Sequence, residues 1–497
     1  MASPSSSPPR IPTGVPGLDE ILRGGLWPKG MYLIEGDSGT GKTTLALQFL
    51  QEGVRRGEPA LFISLGETTT ELRESAASHG WTLDGIEVCE LVAAGAALSG
   101  EARYTIFEPA EVELGATLKQ LVAAIERVQP ARLVIDSLVE LRLLANDPLR
   151  YRRDLLALKQ LVARRNATCL VADIPATDQA SDGHTLVHGI VRLQHSPPEY
   201  GEDRRRLRVL KFRGARVRGG WHDFSIRTGG IEAYPRLVAA EHHTPFVAEP
   251  VASGIPALDR LVGGGLPPGT STLLIGPAGA GKSALATQYV VAAAARGLAA
   301  AVFTFDEGAA SVCRRAQTLG ADLTPHLAAG RILLQQVDPA ELSPGEFAHL
   351  VRRAVEERQV KVLVVDSLNG YTHAMADERT MIAQLHELLS YLNQQGVLTF
   401  LIVGQAGSVG AGTTPVNASY LADNVLLLRF FEARGQVHRA ISVLKMRAAP
   451  HETTIRELRL DGGQIQVGEP LAQFQGVLTG TPQYLGGTES LIPPAEP

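Results

Sequence analysis

The segment Gly36-Asp-Ser-Gly-Thr-Gly-Lys42-Thr43 returns 240 residues later as Gly276-Pro-Ala-Gly-Ala-Gly-Lys282-Ser283. Both fit G-x-x-x-x-G-K-[ST], the phosphate-binding loop that joins a buried strand to a helix. Its glycines let backbone N–H groups converge on phosphate oxygens, and the helix adds the positive end of its dipole. The repetition extends well beyond the loops. Thr13-Gly-Val-Pro-Gly-Leu-Asp19 recurs as Ser253-Gly-Ile-Pro-Ala-Leu-Asp259, and Gly24-Gly25-Leu26 as Gly264-Gly265-Leu266. The spacing is 230 for Ile135-Asp136-Ser137-Leu138 and Val365-Asp366-Ser367-Leu368, and 234 for Lys211-Phe212-Arg213 and Lys445-Met446-Arg447. Loops between the matched segments therefore differ in length. A period this long marks a duplicated domain, not a solenoid.

Within each copy, short apolar runs alternate with amphipathic stretches. Strands are expected at 31–35, 60–64 and 133–136, with helices over 43–54 and 113–128. The second copy repeats the order with strands at 273–275, 301–305 and 362–365. The fold class expected is α/β, a mostly parallel sheet flanked by helices, twice over. The first domain should span 11–239 and the second 251–478. Residues 240–250, with two prolines, read as a linker, and 1–10 and 479–497 as tails.

Composition narrows the function classes. With 47 Lys and Arg against 52 Asp and Glu, the net charge is −5, which argues against a nucleic-acid partner. Cys89, Cys169 and Cys313 stand alone, so neither a disulfide framework nor a Cys-rich zinc site is expected. The longest apolar stretch, 289–305, is broken by Arg296. No membrane span and no signal peptide are expected, and a reducing, cytoplasmic setting follows.

The candidate nucleotide residues are Gly36, Ser38, Gly39, Thr40, Gly41, Lys42, Thr43 and Thr44, with Gly276, Ala278, Gly279, Ala280, Gly281, Lys282, Ser283 and Ala284 in the second copy. The lysines reach the β- and γ-phosphates of ATP. Thr43 and Ser283 offer hydroxyls to Mg²⁺, and Asp136 and Asp366, each ending an apolar strand, offer carboxylates. Glu67 ends the run from Phe62, and Asp306-Glu307 ends the run from Phe303, where a carboxylate can activate water or a hydroxyl. Gly66 precedes the single acid of the first copy, so the two copies differ in chemistry. Lys211 with Arg213, and Lys445 with Arg447, sit two apart at strand ends and so share a face. Such a double cation can complete a neighbouring subunit's site. Gln405 lies just past an apolar strand, as a γ-phosphate sensor or a plain strand-end amide. Arg204-Arg205-Arg206 reads as an exposed loop, and His242-His243 as linker.

Two P-loop domains, each opened by [ST]-G-[VI]-P-x-L-D and closed by K-x-R, resemble the KaiC family. Gly219-Gly-Trp-His-Asp-Phe224 strengthens the likeness, which runs from about Ile11 to Pro482. The resemblance implies RecA-like folds, ATP at subunit interfaces and a homohexameric double ring. It also implies weak ATPase activity in the first domain and kinase activity in the second. By it Asp306 and Glu307 match the second domain's acidic pair, and Glu67 the second member of the first domain's pair. The family's phosphorylated Ser–Thr pair falls on Ser419-Tyr420, so Ser419 is the expected phosphoacceptor and a two-site cycle is not implied. The resulting reading is an ATPase and serine autokinase in signalling, with unidentified signalling proteins as partners. Two alternatives stand beside it: a nucleotide-switched scaffold without kinase activity, and a DNA-dependent motor on the same core.

Overall fold

The computed structural model describes residues 9–91, 109–145, 147–175, 182–198, 200–373, 378–405, 421–433, 435–461, 463–478 and 483–485. It divides into two compact units, Met1–Arg236 and Leu237–Pro497. In the first, nine strands form one sheet: β1 (Met31–Glu35), β2 (Ala60–Ser64), β3 (Ile86–Glu90), β4 (Arg132–Asp136), β5 (Thr168–Asp173), β6 (Gly189–Ser196), β7 (Arg204–Phe212), β8 (His222–Arg227) and β9 (Gly230–Tyr234). Their order is β3-β2-β4-β5-β1-β6-β7-β8-β9. The strands from β3 to β6 run parallel, and β7, β8 and β9 continue antiparallel. The helices are α1 (Leu18–Ile21), α2 (Lys42–Arg55), α3 (Thr69–Ser78), α4 (Pro109–Val128), α5 (Leu138–Ala145), α6 (Pro148–Arg164) and α7 (Asp182–Leu186).

The second unit repeats this plan with β10 (Ser271–Gly276), β11 (Ala299–Thr304), β12 (Ile332–Gln336), β13 (Val360–Asp366), β14 (Leu398–Gly404), β15 (Asn424–Ala433), β16 (Gln436–Met446), β17 (Arg456–Asp461) and β18 (Gln464–Pro470). Their order is β12-β11-β13-β14-β10-β15-β16-β17-β18. Its helices are α8 (Pro256–Leu261), α9 (Lys282–Ala295), α10 (Ala309–Thr318), α11 (Thr324–Ala328), α12 (Pro344–Arg358), α13 (Leu368–His373) and α14 (Glu378–Gln394). A short ladder of β19 (Phe474–Gln475) and β20 (Gln483–Tyr484) follows. The expected fold class, a mostly parallel sheet flanked by helices in each copy, is what the chain adopts. Among the described residues no helix is long and apolar enough to cross a membrane.

Every residue of β1, β2 and β5 is buried, because helices cover both faces of the parallel part. One face of the first sheet packs Tyr32, Ile34 and Phe62 against α2, and the other packs Leu33, Ile63 and Val171 against α4 to α6. The repeated opening motif has a local cause. Asp19 accepts the backbone N–H of Thr13 at 2.9 Å, and Asp259 accepts that of Ser253 at 2.7 Å. Each carboxylate thus ties the entering chain to the helix that carries it. Gly25 has φ 103° and a Cβ there would stand 2.4 Å from the Ile11 carbonyl, so only glycine lets the Ile11–Leu26 bridge form.

One sequence expectation is corrected. Arg204-Arg205-Arg206 is not a loop but the start of β7, with Ser196 opposite Arg204 and Gln194 opposite Arg206. Three like charges hide the alternation that a strand otherwise shows. The sheet separates them by face: Arg205 binds Asp203 at 3.0 Å, while Arg206 stacks over Trp221. His242 and His243 follow a short 3₁₀ turn and lie against α14, where His242 meets Tyr391 edge-on and His243 meets Gln394.

Candidate nucleotide sites

Each P-loop follows a fully buried strand and opens a helix whose N-cap is a left-handed glycine, Gly41 at φ 94° and Gly281 at φ 103°. A side chain at either N-cap would strain the backbone where it must curl. Lys42 Nζ donates to the carbonyls of Gly36 at 2.7 Å and Asp37 at 2.8 Å. Lys282 Nζ donates to Gly276 and Pro277, both at 2.8 Å. Burial lowers the pKa of both ammonium groups, opposed by Asp136 at Lys42 and by Asp366 at Lys282. Ser38, Gly39 and Thr40 complete the first loop, with Thr40 Oγ1 donating to the Asp37 carbonyl at 2.8 Å. Ala278, Gly279 and Ala280 complete the second. Thr44 and Ala284 lie one position into the helix core, both buried.

Thr43 Oγ1 donates to Asp136 Oδ2 at 2.7 Å, and Ser283 hydrogen-bonds Asp366 in the same way. Burial raises the pKa of both carboxyls, while the hydroxyls and the nearby lysines hold them down. The peptide bond after each aspartate, to Ser137 and to Ser367, is cis.

The acids at the ends of β2 and β11 differ. Asp306 Oδ2 accepts the hydroxyl of Ser367 at 2.7 Å, so it lies beside Asp366. Glu307 turns to α10, accepting Ser311 Oγ at 2.8 Å and Arg315 Nη2 at 2.8 Å. Burial pushes its pKa up, but the hydrogen bonds from Arg315 and Ser311 outweigh that and leave it lowered. Glu67 has the opposite setting. Its pKa is raised by burial first, then by the charges of Asp136 and Glu71. Gly66, the counterpart of Asp306, has open space where a side chain would stand.

The paired cations reach backbone of their own chain. Lys211 Nζ donates to the His184 and Thr185 carbonyls, and Arg213 Nη2 to Thr185 at 2.7 Å. Lys445 Nζ donates to Ala422 at 2.6 Å, and Arg447 faces Asp423 at 3.5 Å. Gln405 donates its backbone N–H to the Gly276 carbonyl at 3.1 Å, and its buried Oε1 has no hydrogen-bond partner among the described residues. Ser419 and Tyr420 lie outside the described residues.

Sequence reasoning passed over a buried charge network beside the first P-loop. Glu35 ends β1, 2% exposed, and binds His184 and Arg192; Asp173 ends β5 and binds Arg142 at 2.8 Å. Burial pushes Asp173 up to about 6. The available signal was one acid closing each of two wholly apolar runs.

A family model for the KaiC ATPase matches residues 11–238 and again 251–472. The circadian clock protein KaiC3 of Synechocystis sp. is 27% identical over 97% of this chain and 96% of its own length. The circadian clock oscillator protein KaiC of Parathermosynechococcus lividus is 28% identical over 97% and 89%, and KaiC2 of Synechocystis sp. is 28% identical over 95% and 84%. Two RecA-like domains, two P-loops backed by hydroxyl–carboxylate pairs and a family match over both repeats lead to one conclusion: this chain belongs to the KaiC family of ATPases.

Proposed function

We propose that the chain is a ring-forming signalling ATPase whose domains divide the chemistry, the first passing the γ-phosphoryl group of ATP to water and the second passing it to Ser419. The unequal supply of acids carries this reading: Asp306 lies beside Asp366 in the second domain, and Gly66 stands at the same place in the first. In the second domain the Ser419 oxygen attacks the γ-phosphorus and the bond to the β,γ-bridging oxygen breaks. ADP leaves, and the serine proton passes to the Asp306 carboxylate. In the first domain water attacks instead and its proton passes to Glu67. Lys42 and Lys282 hold the phosphates, and Lys211–Arg213 and Lys445–Arg447 come from the neighbouring subunit of a homohexameric double ring. The oxygen pairs Thr43–Asp136 and Ser283–Asp366 fit Mg²⁺, a hard cation that takes oxygen ligands. When bound, Mg²⁺ neutralises charge developing on the β- and γ-oxygens. Lone cysteines support a reducing, cytoplasmic setting, and the partners in this reading are signalling proteins, not nucleic acid.

Incubation with ATP and Mg²⁺ tests this, read by peptide mass spectrometry and by ring mass. Phosphate is expected on Ser419, none on Tyr420, and at least a hundredfold less in Asp306→Asn, as for loss of a general base. An unmodified Ser419 in a ring that turns over ATP overturns the kinase assignment. That result favours a second reading, a nucleotide-switched scaffold, which the Tyr420 departure from the family's threonine supports.

A further inference from the structure

Helix α7 lies between the first P-loop strand and the Lys211–Arg213 pair. On one side, the His184 ring meets Glu35, whose other oxygen accepts Arg192 Nη2 at 2.9 Å. Glu35 is followed at once by Gly36, whose carbonyl accepts Lys42. On the other side, the last carbonyls of α7 take cations in sequence: His184 from Lys211, Thr185 from Arg213 and Lys211, and Leu186 from Lys159 at 2.7 Å. Three cations packed together repel. Burial and the charges of Arg213 and Lys159 all lower the Lys211 pKa. What holds them is the negative end of α7, where unpaired carbonyls concentrate. His184 anchors that end to the P-loop strand, because Glu35 is almost wholly buried and fixed by Arg192.

Among the described residues the second domain has no counterpart of the Glu35–Arg192 end of this anchor. Ile275 stands where Glu35 does, and Leu427, opposite Ile275, stands where Arg192 does. A glutamate closing an apolar strand costs several kcal/mol of desolvation unless it is paired. Its presence beside only one of two otherwise matching P-loops marks a linkage built in the first domain by side chains that the second does not share.

We propose that His184 is a positioning residue that ties a subunit's own first P-loop to the Lys211–Arg213 pair which the same subunit presents to its neighbour's ATP. This inference rests on the shared-site reading above. Loss of His184 then damages the neighbour's site, not the subunit's own. A misplaced cation pair lowers turnover on the order of tenfold or more, while nucleotide still binds the first P-loop.

Mixed rings separate this from a local packing role. All subunits carry Asp306→Asn, which silences second-domain chemistry and leaves its P-loop intact. Full-length His184→Ala rings should lose first-domain phosphate release at least tenfold while keeping nucleotide bound at both sites. His184→Gln, whose amide can still donate to Glu35, should keep most of the turnover. Mixing His184→Ala with Lys42→Ala subunits should restore activity, up to about a quarter of the unmutated rate at equal ratio, because each head-to-tail interface takes one element from each neighbour. If that mixture never recovers while Arg213→Ala with Lys42→Ala does, His184 serves its own P-loop and the inference is wrong. If neither mixture recovers, the shared-site reading itself falls and takes this inference with it.

Discussion

The two nucleotide sites have one cradle and two surroundings. Glu67 and Glu307 occupy the same position, yet Glu307 is met by Ser311 and Arg315, while Glu71 and Ser75 stand at those places in the first domain. One acid is pinned to its own helix in the charged form. The other faces burial and two like charges, and its pKa rises. Behind the loops the contrast reverses. The first domain pairs a buried Glu35 with Arg192 and a buried Asp173 with Arg142, where the second has Ile275, Leu427, Val403 and Thr372. Duplication kept the phosphate-binding backbone. What diverged is the set of charged groups that surrounds it.

If the cradles are equivalent, breaking either lysine should have the same large effect. Lys42→Ala and Lys282→Ala are each expected to remove one of two bound ATP molecules per subunit, since a charge and a phosphate contact are lost together. Two nucleotides retained in either variant would show that the cradles do not depend on their lysines. Unfolding must be followed in parallel, because bound ligand itself stabilises the fold.

Gly66→Asp asks whether the missing acid limits the first domain. A Cβ at Gly66 meets nothing within 4 Å, and Ser137 is present to donate as Ser367 does to Asp306. First-domain phosphate release should rise about tenfold, less than the roughly hundredfold or more of a sole acid–base group, because Glu67 already stands in the site. No change would mean that the acid alone does not distinguish the domains.

Transplanting Glu307's partners gives a smaller effect. If Glu67 is the base, as proposed, it must be ionised, and first-domain turnover then falls as pH drops through its raised pKa. The double variant Glu71→Ser, Ser75→Arg removes one like charge and supplies a cation, so the acid limb of the pH–rate profile should move to lower pH. A limb that stays put would assign it to another group.

The smallest effect is expected at Asn369, whose side chain accepts the Gly404 N–H at 2.8 Å and donates to the Gly404 carbonyl at 3.2 Å. The first domain has Val139 there. Asn369→Val should cost the second unit about 1–2 kcal/mol, the typical worth of such bonds, measured by urea unfolding. Its ATP turnover should change less than tenfold.

Much of the fold could be read from the chain because each local signal had a local cause. Fully apolar runs became strands buried on both faces, and Gly39, Gly41, Gly279 and Gly281 of the P-loops fell where φ is positive. Arg204–Arg206 misled because a run of like charges reads the same in a loop as along a strand that sends them to alternate faces. Only pairing with β6 separates the two.

By itself the sequence determined the duplication, the two phosphate cradles and the order of strands and helices. These depend on spacing along the chain, and spacing is preserved in folding. Tertiary structure alone decided which charges meet. Glu35 lies 149 residues from His184 and 157 from Arg192, and only the placement of β6 beside β1 and α7 at its end brings them together. The same holds for Glu307, whose lowered pKa depends on which way its side chain turns. Coulomb energy depends on separation in space and on exclusion of water, and neither is written in the distance between residues along the chain.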